Sequence, residues 1–358
     1  MFVPLAGAVM LGWALYAAPV LAAPAIPPSD DVVLERLPES RDPSIATLKK
    51  MRALVRAAPQ DLRVATLYAR RAVDASRATG DPRYLGQAQA ALQPWWSADD
   101  PPSPALLLRA TIKQSLHDFD GALADLDRLL ARAPDDAQAR LTRATVRSVV
   151  GRADEARADC DRLERAVPAL VGAACRASAD ASTWRALDAA LAADTTSPAG
   201  IRTWALTIAG EMAARRGDAV GADARFREAL ALDPNDAYLA GAYADFLIDA
   251  GRHAEAARLL DNRTRHDALL LRLVIAERQL PERRERYEAD RAELAARFDA
   301  TRRRGDSVHR REEARYALEV EDDPARALTL ARANFAMQKE PADARLLADA
   351  ARAAGARP

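Results

Sequence analysis

The sequence predicts an all-α protein built as a stack of antiparallel helix pairs, and three observations lead there. Ala is very abundant, while aromatics make up 5% and glycines number 15 in 358 residues, which leaves little to build strands with. Punctuation recurs every 34 residues: Pro134 and Pro168, Ala122 and Ala156, Gly217 and Gly251, Ala222 and Ala256. Between those marks lie two apolar-periodic segments. Leu106, Ala110 and Ile112 pattern one, and Phe119, Ala122, Leu126 and Leu129 the next, at helical spacing.

From the N-terminus, the first 25 residues carry no charged side chain. The apolar run ends in small residues (Ala22, Ala23-Pro24-Ala25) and gives way to Pro27-Pro28-Ser29-Asp30-Asp31. That is the layout of a secretory signal at 1–25, without its basic n-region. The run is also about long enough to span a bilayer as an uncleaved anchor, but Pro4, Pro19 and the Ala-rich end favour cleavage. The chain is thus expected to be periplasmic or secreted. It would touch a membrane only through an uncleaved N-terminus, and its compartment would permit disulfides.

A linker at 26–42 is followed by divergent helical repeats at 43–102. A lone helix is predicted at 43–58, then a unit at 60–94 whose first helix runs about a turn long before Gly80-Asp81-Pro82. Trp95-Trp96 are expected to cover the junction with the loop at 97–104. The core, 103–270, holds units at 103–136, 137–170, 203–236 and 237–270, with a shortened, degenerate stretch at 171–200. Each mark has a physical reason. Small Ala lets two helices approach. Gly supplies the left-handed residue that ends the first helix, Asp after it caps the second, and Pro stops that one. Such a pair cannot bury its apolar face alone and must stack.

These marks resemble the tetratricopeptide-repeat family. In 203–236, Leu206, Gly210, Ala222, Phe226, Ala229 and Pro234 fall at the family's positions. The unit 137–170 keeps Ala144, Ala156 and Pro168 but has Cys160 where an aromatic is usual. The resemblance implies a right-handed superhelical solenoid that binds a protein or peptide partner on a concave face lined by first helices. Carried onto this chain, the groove positions are Leu107, Thr111 and Gln114; Gln138, Leu141, Thr145 and Ser148; Trp204, Thr207 and Glu211; and Tyr238 and Asp245. Trp204 and Tyr238 would form an aromatic pair on adjacent rungs. The family's carboxylate-clamp pattern is absent, since Leu107, Leu141, Thr111 and Thr145 hold its positions.

The C-terminal third, 271–358, reads as divergent helical repeats. Helices are predicted at 268–280, 282–304, 306–320, 324–339 and 342–354, the last acting as a polar cap or meeting a partner.

Chemistry-bearing motifs are sparse. Lys+Arg and Asp+Glu cancel at 52 each, so no nucleic-acid partner is expected. His117, His253, His266 and His309 show no metal-ligand spacing, and neither nucleophile elbow nor phosphate loop occurs. No catalytic residue, metal or cofactor is therefore assigned, and the carboxylates read as solvated helix faces. Arg216-Gly217-Asp218 and Arg304-Gly305-Asp306 read as helix stops rather than adhesion motifs. Cys160 and Cys175 lie equidistant from the turn at Val167-Pro168, so antiparallel packing would bring them level. A disulfide is expected, against the alternative of two buried thiols. The chain thus reads as a non-enzymatic scaffold. An envelope chaperone or assembly factor is the first alternative, and an enzyme with its site in the C-terminal third is the second.

Overall fold

The computed structural model describes Ser29, Val32, residues 43–303, Gly305 and residues 309–357. The expected signal, most of the linker and the second Arg-Gly-Asp (apart from Gly305) lie outside the described residues. The chain divides into two compact units, Met1–Arg41 and Asp42–Pro358, and the architecture is that of the second. Among the described residues there are nineteen α-helices and no strand.

The N-terminal repeats comprise α1 (Pro43–Ala57), α2 (Leu62–Thr79), α3 (Arg83–Ala91) and the one-turn α4 (Gln93–Trp96). The pairs α5 (Ser103–Ser115) with α6 (Phe119–Arg132) and α7 (Ala137–Val149) with α8 (Ala153–Leu163) fill the next two units. The degenerate stretch still folds as a pair, α9 (Ala169–Ala179) and α10 (Trp184–Ala193), joined by a 3₁₀ turn. Then come α11 (Ala199–Arg215), α12 (Ala219–Leu232), α13 (Ala237–Asp249) and α14 (His253–Leu260). The C-terminal third holds α15 (Asp267–Arg278), α16 (Arg284–Arg303), α17 (Arg310–Glu319), α18 (Pro324–Phe335) and α19 (Pro341–Ala353). Apart from α16 with α17, each helix packs on its sequence neighbour, and successive first helices α5, α7, α9, α11, α13 and α15 touch one another.

The turn residues behave as their chemistry requires. Gly80, Gly151, Gly217 and Gly251 all have positive φ, from 69° to 81°. In the unit at 103–136 a non-glycine, His117, takes that conformation with φ 61°. Asp118 and Asp218 then cap the second helices, accepting the amides of Gly121 and Gly221 at 3.0 and 2.9 Å.

Small residues set the helix spacing. Ala122, Ala156, Ala222 and Ala256 are fully buried, and a Cβ added to Gly210 would stand 2.9 Å from the Phe226 ring. Trp95 and Trp96 are half-buried against the N-terminal core. Their carbonyls accept from Arg109 Nη1 at 3.1 and 2.6 Å.

Two expectations are corrected. The helix expected at 324–339 ends at Phe335, because the Lys339 amide bonds to the Val149 carbonyl at 2.7 Å instead of continuing the helix. Glu340, held before Pro341, is extended, with φ −69° and ψ 158°. The carboxylates are also not all solvated. Asp125 and Asp159, 34 residues apart, are buried at 3% and 1% exposure. Asp125 accepts Arg109 at 2.6 Å and Lys113 at 2.9 Å. Asp159 accepts Arg143 at 2.6 Å and Arg147 at 2.7 Å, with Arg140 at 3.3 Å. Arg109 and Arg143, and Lys113 and Arg147, keep the same 34-residue interval. The repeat therefore carries a buried ionic lock between its first and second helices.

Cys160 on α8 and Cys175 on α9 are joined as a disulfide, with Cα atoms 5.5 Å apart and both residues buried. It fastens one unit to the next.

Two outcomes follow from this packing. Asp159→Ala leaves three guanidiniums without their shared acceptor and should cost about 3–5 kcal/mol in urea unfolding. The exposed Asp154→Ala should cost under about 1 kcal/mol. Alkylation of the unfolded, unreduced chain should add no label, whereas reduction should add one label to each of Cys160 and Cys175 and lower stability by about 3 kcal/mol.

Candidate partner-binding groove

The groove positions divide into two groups with different surroundings. The first borders a concavity of about 480 Å³. Leu107, Thr111 and Gln114 of α5 line it, with Gln138, Leu141 and Thr145 of α7 and Trp204 of α11. Leu107 and Leu141 stand one repeat apart. The Thr111 and Thr145 hydroxyls are already donated to the carbonyls of Leu107 and Leu141, at 2.8 and 3.0 Å. They can still accept from a ligand but not donate to it.

Sequence reasoning missed a further wall. Arg70, Val73, Asp74 and Arg77 of α2 line the same concavity. Their i, i+3, i+4, i+7 spacing marks one helix face, but the lengthened helix obscured the repeat register that would have assigned it inward. Arg70 and Arg77 are exposed and form no ion pair among the described residues. Ser148, at the far end of α7, does not line the concavity; its hydroxyl is buried without a hydrogen-bond partner.

The second group is engaged within the chain. Thr207 is 3% exposed and donates to the Thr203 carbonyl at 2.7 Å, so it presents nothing to a ligand. Burial raises the Glu211 carboxyl above its ordinary value, opposed by the Tyr238 hydroxyl, which donates to it at 2.8 Å. Tyr238 remains 67% exposed. It does not stack with Trp204; the aromatic cluster here joins Phe226, Tyr243 and Phe246, with centroids 5.3–6.2 Å apart. The expected aromatic pair is therefore replaced by a tyrosine–glutamate pair and a separate tryptophan.

Asp245 accepts Arg272 of α15 at 2.6 Å and Arg315 of α17 at 2.8 Å. Burial works against its charge, but the two guanidiniums outweigh burial and hold the carboxyl at about 2. One turn along α13, Asp249 accepts both terminal nitrogens of Arg345 from α19, at 2.6 and 2.8 Å. The C-terminal helices are thus docked on the inner face of α13.

The C-terminal third contains one strongly shifted acid. Burial and then the Asp290 charge push Glu277 up to about 7. It is 1% exposed and does not border the concavity. Among the described residues no group of three His, Cys, Asp or Glu side chains is placed to hold a metal.

Stacked helix pairs with an inner wall of first helices define a helical-repeat protein. Residues 213–271 match the tetratricopeptide-repeat family model, a span that includes most of the two units with the fullest repeat pattern. No curated protein matches the chain. Solved structures with a similar course include the APC/C hetero-tetramer Cut9-Hcn1, at 14% identity and TM-score 0.43 over 86% of this chain. The match spans 52% of that chain, about half its length. A tetratricopeptide repeat protein from Parabacteroides merdae is similar at 15% identity and TM-score 0.39, over 79% of this chain and 98% of that one. A human IFIT1 dimer with PPP-AAAA is similar at 13% and 0.45, over 84% and 74%.

Asp245→Asn gives a test of the engaged half. A carboxyl depressed in the folded state adds stability that is present above its unfolded value, near 4, and is lost as pH falls through about 2. The variant should lose roughly 1–3 kcal/mol at pH 7, and the difference from wild type should shrink below pH 4 in urea titrations.

Proposed function

We propose that this chain is a non-enzymatic scaffold that receives an extended segment of a partner protein in the concavity between α2, α5, α7 and α11. One observation carries the reading: the character of that wall. Two leucines one repeat apart and a tryptophan supply apolar anchors, and the amides of Gln114 and Gln138 supply polar contacts. Arg70 and Arg77, which form no ion pair among the described residues, add positive charge at one side, with Asp74 between them. Such a surface binds by area and a few rigid anchors. The residues that border it offer no nucleophile–base pair for chemistry.

The apolar, uncharged N-terminus and the buried Cys160–Cys175 disulfide support an exported protein at work in the periplasm or outside the cell.

A photo-crosslinking side chain placed at Thr145 should capture a partner in stoichiometric yield in the native envelope. Leu107→Asp should cut that yield at least tenfold while the circular dichroism and melting temperature stay unchanged. The same crosslinker at Val220, which is 83% exposed and outside the concavity, should capture none of it. Equal capture at Val220, or indifference to Leu107→Asp, would remove the groove as the binding site.

A further inference from the structure

Two contacts join segments far apart in the chain, and each is centred on a histidine. His266, just before α15, places Nε2 3.2 Å from the carbonyl of Ala78 at the end of α2. A carbonyl only accepts, so Nε2 carries the proton and Nδ1 is bare in the neutral ring. That bare nitrogen packs on Gly80, where a Cβ would stand 2.4 Å from it. His117, at the turn between α5 and α6, places Nε2 3.4 Å from Nε2 of Gln338. An amide nitrogen only donates, so here the ring nitrogen is the acceptor and is unprotonated. One residue further, the Lys339 amide donates to Val149, and the Lys339 side chain covers Gly151, where a Cβ would stand 2.8 Å from its Cδ.

We propose that Met337–Lys339 is an acid-released clasp: neutral His117 fastens it to the turn between α5 and α6, and protonating that ring frees it. The chemistry at His117 is direct, because a second ring proton would face the Gln338 amide hydrogens. At His266 the Nε2–H stays on the Ala78 carbonyl in either charge state, so that tie persists in acid.

The charges around the rings are mixed. Burial lowers both histidines below the ordinary value. At His117, Glu312 and Glu340 favour the proton, and Arg311 and His309 oppose it. At His266, the Ala78 carbonyl and Asp267 favour it and Arg263 opposes it. A histidine depressed in the folded state adds stability that is complete above its ordinary value, near 6.5, and lost as pH falls through the lower one. Acid therefore loosens the His117 tie. Opening would leave the C-terminal helices held to α13 through Arg315–Asp245 and the exposed Arg345–Asp249 pair.

Amide hydrogen exchange on the full chain, corrected for intrinsic rates, tests this. From pH 7.5 to pH 5, peptides containing Lys339 should lose protection at least tenfold, while Ala78–Gly80, α11 and α12 keep theirs. His117→Asn should abolish that pH dependence; Asn tolerates the left-handed backbone at 117. Gln338→Ala, a milder change, should expose the Lys339 amide at both pH values. Three results would overturn the clasp. Lys339 could stay protected at pH 5, meaning that Gln338 has turned its amide over to accept. Protection could fall equally in α11 and α12, meaning general unfolding. Gln338→Ala could match wild type.

Discussion

Close approach of paired helices is the constraint on which the architecture depends. Ala122, Ala156, Ala222 and Ala256 recur where the two helices of a pair meet, and Gly210 leaves room only for the Phe226 ring. With the backbones that near, a single pair still leaves its outer flank apolar, and only a neighbouring pair can cover it. The stack follows from that, as does the inner wall of first helices. The buried Asp125 and Asp159 locks belong to the same logic. They occupy the pair interface where α5 meets α6 and α7 meets α8, and their many donors keep the buried charge hydrogen-bonded.

The inner wall differs electrostatically along its length. Toward the N-terminus it is apolar and amide-bearing, with the guanidiniums of Arg70 and Arg77 at its edge. Toward α13 it is acidic, and the chain supplies its own arginines from α15, α17 and α19. One solenoid therefore presents an open binding surface in its first half and a self-satisfied one in its second. That contrast is what favours the α2–α5–α7–α11 side as the proposed seat of a partner.

The fold was legible because its signals are local. A 34-residue interval, left-handed glycines and capping aspartates act within one or two turns of backbone, and nearly every helix lies where they place it. The groove was half legible. Inward positions copied from repeat to repeat located Leu107, Leu141 and Trp204. They could not show that Thr207 is buried or that Asp245 is paired, since Asp245 meets Arg272 and Arg315, 27 and 70 residues further along the chain. The α2 wall was missed because its helix runs long and breaks the register. The ionic locks could have been found: Asp125/Asp159, Arg109/Arg143 and Lys113/Arg147 repeat at the same interval, but a periodic acid reads as a solvated face unless its periodic base is sought as well.

The ties between Lys339 and Val149 and between His266 and Ala78 have a consequence for how the repeats add up. In an open array each unit answers only to its neighbours, so stability grows by equal increments and a unit can be inserted or removed with little penalty elsewhere. Here the end of α2 is tied to the turn before α15, and the end of α7 to the residues before α19. An added or deleted unit would carry His266 and Lys339 past their seats, so the number of repeats is itself a fixed dimension of this protein, like the circumference of a hoop.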